Sequence, residues 1–175
     1  MKINASIIIT GRSYCGKTTL AKALAQKKKL PIASYDRYRS NYCKKYGIVA
    51  RKEQQFPETD QKTANPDVLE NFIRYTSTNF ERLIIEGSDH KELRERISLI
   101  SDHCFLIFLD VPRKERYRRK LHRNQEEDSR FNFEDFVKRD ADPPGRETDN
   151  LKEKADLVLG PGYDLDMILE EVAYL

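Results

Sequence analysis

No paired cysteine motif occurs in the 175 residues: Cys15, Cys43 and Cys104 are odd in number and far apart. That excludes a disulfide framework and a zinc knuckle and points to a reducing compartment. A long apolar run is missing too. The N-terminal one is broken by Asn4 and Ser6 and is too short for a secretory leader or a membrane span. A soluble, cytoplasmic protein with no membrane partner is therefore expected. Strong charge of either sign is also absent, and a net charge of +3 does not by itself choose between an anionic small ligand and nucleic acid. Hydrophobic residues reach only 38% against 35% charged. Strand-length apolar runs nevertheless remain, so the chain is globular rather than disordered, and residues 1–175 read as a single domain. No internal repeat or low-complexity tract is present.

Those apolar runs alternate with helical patterns from end to end. Ile3 to Thr10, with Ile7-Ile8-Ile9 at its centre, predicts a strand buried on both faces. A helix is predicted from about Lys17 to Lys28, then a short strand over Leu30 to Ser34. Ser34-Tyr35-Asp36 opens a helix that reaches about Tyr46 and stops at Gly47. Ile48 to Asn65 is polar and without clear period, which suits a lid or acceptor loop. Asn65 and Pro66 then start a helix carrying Val68, Leu69, Phe72 and Ile73 on one stripe.

The second half repeats the alternation. Leu83 to Gly87 predicts a third strand with its exit turn, Lys91 to Ile100 a helix, and Cys104 to Leu109 a fourth strand. Arg113 to Asn124 is a very basic helix, with Tyr117 and Leu121 together on a side suited to packing. A short helix over Phe133 to Arg139, started by Asn132, precedes a loop from Asp142 to Asn150. A strand over Ala155 to Leu159 and a helix over Asp164 to Tyr174 close the chain. The alternation implies an α/β fold with right-handed crossovers and a parallel sheet covered on both faces. Ligands of such sheets lie at the carboxyl ends of the strands.

Between the first strand and the first helix stands Gly11-Arg12-Ser13-Tyr14-Cys15-Gly16-Lys17-Thr18-Thr19. This is the G-x-x-x-x-G-K-[ST] pattern in the strand–loop–helix setting it requires. Gly11 and Gly16 let the backbone turn tightly, and the amides along Ser13, Tyr14 and Cys15 can face phosphate oxygens. The helix N-terminus at Lys17, Thr18 and Thr19 adds partial positive charge. Lys17 supplies a point charge for the β- and γ-phosphates of ATP, and the Thr18 hydroxyl is placed to ligate Mg2+.

Three acids are predicted just past strand ends, on the same rim as this loop. Asp36 could take the proton of an acceptor hydroxyl or orient it, although an aspartate there also suits a helix N-terminus. Arg39, one turn on, could grip an acceptor phosphate. Glu86 can hold a magnesium-bound water, as Walker B acids do, and is preferred over Asp110. Asp89 is a further candidate for acceptor contact. On the basic helix Arg113, Arg116, Lys120 and Arg123 share one side and Arg119 adjoins them. A solvated face would look the same, but such a helix can also deliver guanidiniums to a triphosphate; Arg119 and Arg123 are preferred for that role. Arg139 and Arg146 flank a later loop and are lesser candidates.

Through Gly11–Thr18, Ser34–Arg39, Leu83–Gly87, Phe105–Arg123 and Ala155–Leu159 the chain resembles the P-loop nucleoside and nucleotide kinases. Ser34-Tyr35-Asp36 and Ile84-Ile85-Glu86-Gly87 are similar to the uridine kinase and nicotinamide riboside kinase branch. Asp36-x-x-Arg39, the arginine helix, Arg139-Asp140 and Ala155-Asp156-Leu157-Val158 look like the dephospho-coenzyme A kinase and NMP kinase branch. The resemblance implies a three-layer P-loop fold with a five-stranded parallel sheet of order 2-3-1-4-5. It also implies ATP with Mg2+ and a helical lid over about residues 113–147. Tyr14-Cys15 departs from the small residues usual inside the loop, and 48–65 matches neither branch.

The expected activity is ATP-dependent phosphoryl transfer to a small acceptor such as a nucleoside, nucleotide or related metabolite. Lys17, Asp36, Arg119 and Arg123 are the expected catalytic residues. A nucleotide-dependent switch or assembly ATPase is the alternative from another class. A nucleic-acid end kinase is disfavoured by the slight net charge.

Overall fold

The first strand is apolar on both sides, and it takes the middle of the sheet for that reason. In the computed structural model, which describes residues 2–46, 66–87, 91–123, 132–141 and 148–175, β1 (Ile3–Gly11) lies between β3 (Arg82–Glu86) and β4 (Ser101–Leu109). With β2 (Ile32–Ser34) and β5 (Leu157–Leu159) at the edges, the order is β2-β3-β1-β4-β5 and every pairing is parallel. Ile7 stands beside Ile84 on one flank and Phe105 on the other. The expected 2-3-1-4-5 sheet is the observed one.

Successive side chains of a strand point to opposite faces, so Ile7, Ile8 and Ile9 serve two cores. Ile7 and Ile9 join Leu20, Ala21 and Leu24 of α1 (Lys17–Lys28) and Ile168 of the last helix, α7 (Leu165–Glu171). Ile8 joins Val68, Leu69, Phe72 and Ile73 of α3 (Pro66–Asn79) and Leu93 and Ile97 of α4 (Lys91–Ile100). Each fully buried aliphatic or aromatic side chain here contributes roughly 1.5–3 kcal/mol of burial. The other helices are α2 (Tyr35–Lys45), α5 (Arg113–His122) and α6 (Phe133–Asp140). Among the described residues no helix is long and apolar enough to cross a membrane.

Several details differ from the sequence expectation. β4 begins at Ser101 rather than Cys104, because Ser101 sits opposite Ile3 and its hydroxyl pairs with that of Ser6 at 3.1 Å. Polar Asp102 and His103 hide that start from a hydrophobicity reading. β5 is shorter than 155–159: the Asp156 carboxylate accepts the Leu106 N–H at 2.7 Å in place of a ladder bond. Residues 148–150, expected as loop, form a helical turn that buries Thr148. Leu121, expected to pack beside Tyr117, is 51% exposed; Tyr117 instead meets Phe133 and Phe136 of α6. The ends expected at Gly47 and Asn65 lie outside the described residues.

Candidate active site

The loop joining β1 to α1 is forced into shape by close packing. Gly11 has φ +138, and a Cβ there would fall 2.7 Å from the Leu109 carbonyl oxygen and 2.9 Å from Cys15 Sγ. Gly16, at φ +108, is the residue before α1. Between them Tyr14 takes a left-handed φ of 64, and the Cys15 N–H closes a turn onto Arg12 O at 3.2 Å. Cys15 is buried against Gly11 in the α1 core, while the Tyr14 ring turns out toward Phe136 of α6. The bulk at these two positions is thus absorbed on opposite sides of the loop.

Lys17 folds back over the loop, donating to Gly11 O at 2.6 Å and Arg12 O at 3.3 Å. No acidic residue of α1 itself and no side-chain cap occupy its first turn; the acid that meets this positive helix end comes from β3. Thr18 Oγ1 donates to Glu86 Oε2 at 3.1 Å. Glu86 ends β3 beside Ile9 and Ser34, and is 8% exposed. Asp110, the other acid weighed for this place, is drawn off by Lys152 at 2.6 Å.

Asp36 opens α2, whose cap is Ser34, accepting from the Arg37 N–H at 3.4 Å. Its carboxylate lies against Gly87, the residue after Glu86. Thr18, Glu86 and Asp36 therefore line one rim, at the carboxyl ends of β1, β3 and β2. Arg39 is exposed on α2. Asp89 and Arg146, and the side chain of Arg139, lie outside the described residues, as does the stretch 48–65.

From the opposite side α5 reaches over the loop. Arg119 Nη1 donates to Cys15 O at 2.7 Å and its Nε to Glu115 at 3.0 Å. The Arg123 guanidinium stands 5.4 Å from the centre of the Tyr14 ring, within cation–π range. Both arginines preferred from sequence thus sit on the loop.

The sequence reading gave no role to Arg12 or Asp149, noted Asp140 only within Arg139-Asp140, and preferred other arginines over Arg116. Arg116 is almost wholly buried, forking onto Asp140 at 2.6 and 2.5 Å. Burial pushes the Asp140 carboxyl up, but hydrogen bonds from Arg116 and Arg113 and the charges of Arg116 and Arg12 outweigh it, leaving a pKa of about 2. Arg12 forks onto Asp149 at 2.8 and 2.5 Å, which raises the guanidinium and lowers the Asp149 carboxyl. The positions of Arg116 and Arg139-Asp140 were visible as motifs; their pairing across the loop has no local signal.

A glycine-bent loop feeding a helix at the carboxyl edge of a 2-3-1-4-5 sheet, with arginines leaning over it, defines a P-loop kinase fold. Residues 7–141 match the family model described as AAA domain, and the chain belongs to that family. No curated protein sequence matches the chain. Solved structures similar to it include TT1252 from Thermus thermophilus, at TM-score 0.69 and 18% identity over 99% of this chain and 98% of that one. A shikimate kinase from Bacteroides thetaiotaomicron is similar at TM-score 0.59 and 17% identity, over 98% of this chain and 99% of that one. The Mycobacterium tuberculosis APS kinase in complex with AMPPNP and APS gives TM-score 0.57 and 18% identity, over 99% and 98%. At these identities the likeness concerns the fold.

Proposed function

We propose that the protein is an ATP-dependent kinase of a small acceptor, a nucleoside, nucleotide or related metabolite. The observation that carries this reading is the hydrogen bond from Thr18 to Glu86, made beside Lys17 and on the rim that carries Asp36. Phosphoryl transfer needs phosphates held, an acceptor oriented in line, and spreading charge neutralised. In this reading the loop amides and Lys17 hold the β- and γ-phosphates of ATP. Arg119 and Arg123 approach the transferred group from α5 and take up charge as it spreads over the equatorial oxygens. Asp36 accepts the acceptor hydroxyl's hydrogen bond and orients its oxygen for attack. Arg39 is the residue available for a charged group on the acceptor. The region over about 113–147, which includes α5 and α6, is read as the lid.

Thr18 and Glu86 are adjacent hard oxygen donors, a set that suits Mg2+, which takes few protein ligands and keeps water and phosphate oxygens. When bound there, the ion would neutralise phosphate charge. Cys15 and Cys43 are buried and in no disulfide among the described residues, which suits a reducing compartment, and a cytoplasmic location is the corresponding reading.

The test is ADP release from the full chain with ATP and Mg2+, screened against nucleosides, nucleotides and pantetheine-type metabolites. One class should raise ADP release and emerge phosphorylated. ADP release that no small molecule alters, but that a macromolecular partner stimulates, would overturn the kinase reading in favour of a switch ATPase.

A further inference from the structure

Two carbonyl groups of the phosphate loop are gripped from α5. Arg116 Nη1 donates to Ser13 O at 3.4 Å, and Arg119 Nη1 donates to Cys15 O at 2.7 Å. In a trans peptide the C=O and the next N–H point opposite ways. These two contacts therefore turn the Tyr14 and Gly16 N–H groups away from α5. Amides of this loop are the groups that must be aimed at phosphate oxygens.

Arg116 differs from Arg119 in being shut away from any ligand. Its Nε donates to Val111 O at 3.0 Å, and the Phe136 ring lies 5.5 Å from its guanidinium carbon. What fixes its direction is Asp140, whose two oxygens take both terminal nitrogens. The same carboxylate meets Arg113 at 2.9 Å and Arg12 at 3.2 Å, and the Asp140 carbonyl accepts from Arg12 as well. Arg12 is itself a loop residue, clamped at its other edge by Asp149. The first half of the loop is thus held from outside by two carboxylates working through two guanidiniums.

We propose that Asp140 is a positioning residue for the phosphate loop, fixing Arg116 and, with Asp149, Arg12, so that the loop keeps the shape that receives a nucleoside triphosphate. It acts through other residues and touches no substrate. Asp140→Asn is nearly isosteric but sets an NH2 against a guanidinium, donor against donor, so the fork is lost. Asp140→Glu keeps the acceptors on a longer stem. Asp149→Asn releases only the half-exposed outer clamp.

The inference rests on the ATP-binding reading above, and calorimetric titration of the full chain with Mg2+–ATP, needing no acceptor, separates the two. Wild type should bind; Asp140→Asn should bind about tenfold more weakly or worse, with part of the affinity restored in Asp140→Glu. Asp149→Asn should bind more weakly, while its melting temperature in the absence of nucleotide falls far less than that of Asp140→Asn. A role in folding alone would leave the affinity of the folded variants unchanged, and that result overturns the proposal. Should Asp140→Asn fail to fold, wild-type affinity in Asp149→Asn overturns it equally. A wild-type protein that binds no ATP removes the kinase reading together with this one.

Discussion

The Asp36 carboxylate lies directly against the backbone of Gly87: a Cβ built on Gly87 would fall 2.7 Å from Asp36 Oδ2. Gly87 also has φ +83, a conformation that L side chains rarely adopt. The glycine after the third strand thus leaves room for the proposed acceptor-orienting acid. Gly87→Ala should displace Asp36 and lower kcat about 100-fold, the scale of an ångström's misplacement. Asp36→Asn should lower kcat likewise, and both variants should bind ATP nearly as wild type does. Steady-state kinetics beside ATP titration checks this; unchanged turnover in Asp36→Asn would remove its assigned role.

Lys17→Ala should abolish transfer, since it removes the ammonium group held at the Gly11 and Arg12 carbonyls of the loop. Thr18→Ala and Glu86→Gln should instead shift the Mg2+ concentration needed for half-maximal rate upward, by about tenfold or more. A magnesium titration of the rate distinguishes the two effects. Asp110→Asn, with its carboxylate already paired to Lys152, should leave that titration unchanged.

Arg119→Ala should reduce kcat by about 100-fold, the usual scale for removing one donor to developing charge. It also deletes the grip on Cys15 O, so the KM for ATP should rise. Arg119→Lys, lacking the planar fork that reaches both Cys15 O and Glu115, should restore little of either.

Asp140 makes stability depend on pH in a definite direction. Its folded pKa, about 2, lies below the ordinary 3.8, so its contribution is fully present above about pH 4 and is lost as pH falls toward 2. A shift of that size corresponds to roughly 2 kcal/mol, an order-of-magnitude value for a side chain that is mostly buried. Denaturant melts of wild type and Asp140→Asn should differ at pH 6 and converge as pH approaches 2. A gap that stays constant across that range would show that the ionised carboxylate is not what stabilises the fold.

The donor half of the site was legible because its signals are local. Gly11, Gly16, Lys17 and Thr18 stand within eight consecutive positions, and the flanking strand and helix announce themselves through their own periods. The same locality made Asp36 and Glu86 readable, since each follows a strand end and the alternation places strand ends on one rim. Leu121 and the 148–150 turn were misread because packing, rather than pattern, decides them. The α6 rings engage Tyr117 and leave Leu121 outside.

What the sequence alone determined was therefore the sheet, its order by resemblance, and the loop with Lys17 and Thr18. Those follow from short-range periodicity and from backbone freedom at two glycines. The tertiary structure alone decided which charges meet. Arg12 and Asp149 are 137 residues apart and Thr18 and Glu86 are 68 apart, and no local rule pairs them. Arg116 looks from sequence like one more cation on a solvated helix. Only burial beside Asp140 makes it a fixed support for the phosphate loop, because a charge taken out of water must be paired where the fold leaves it.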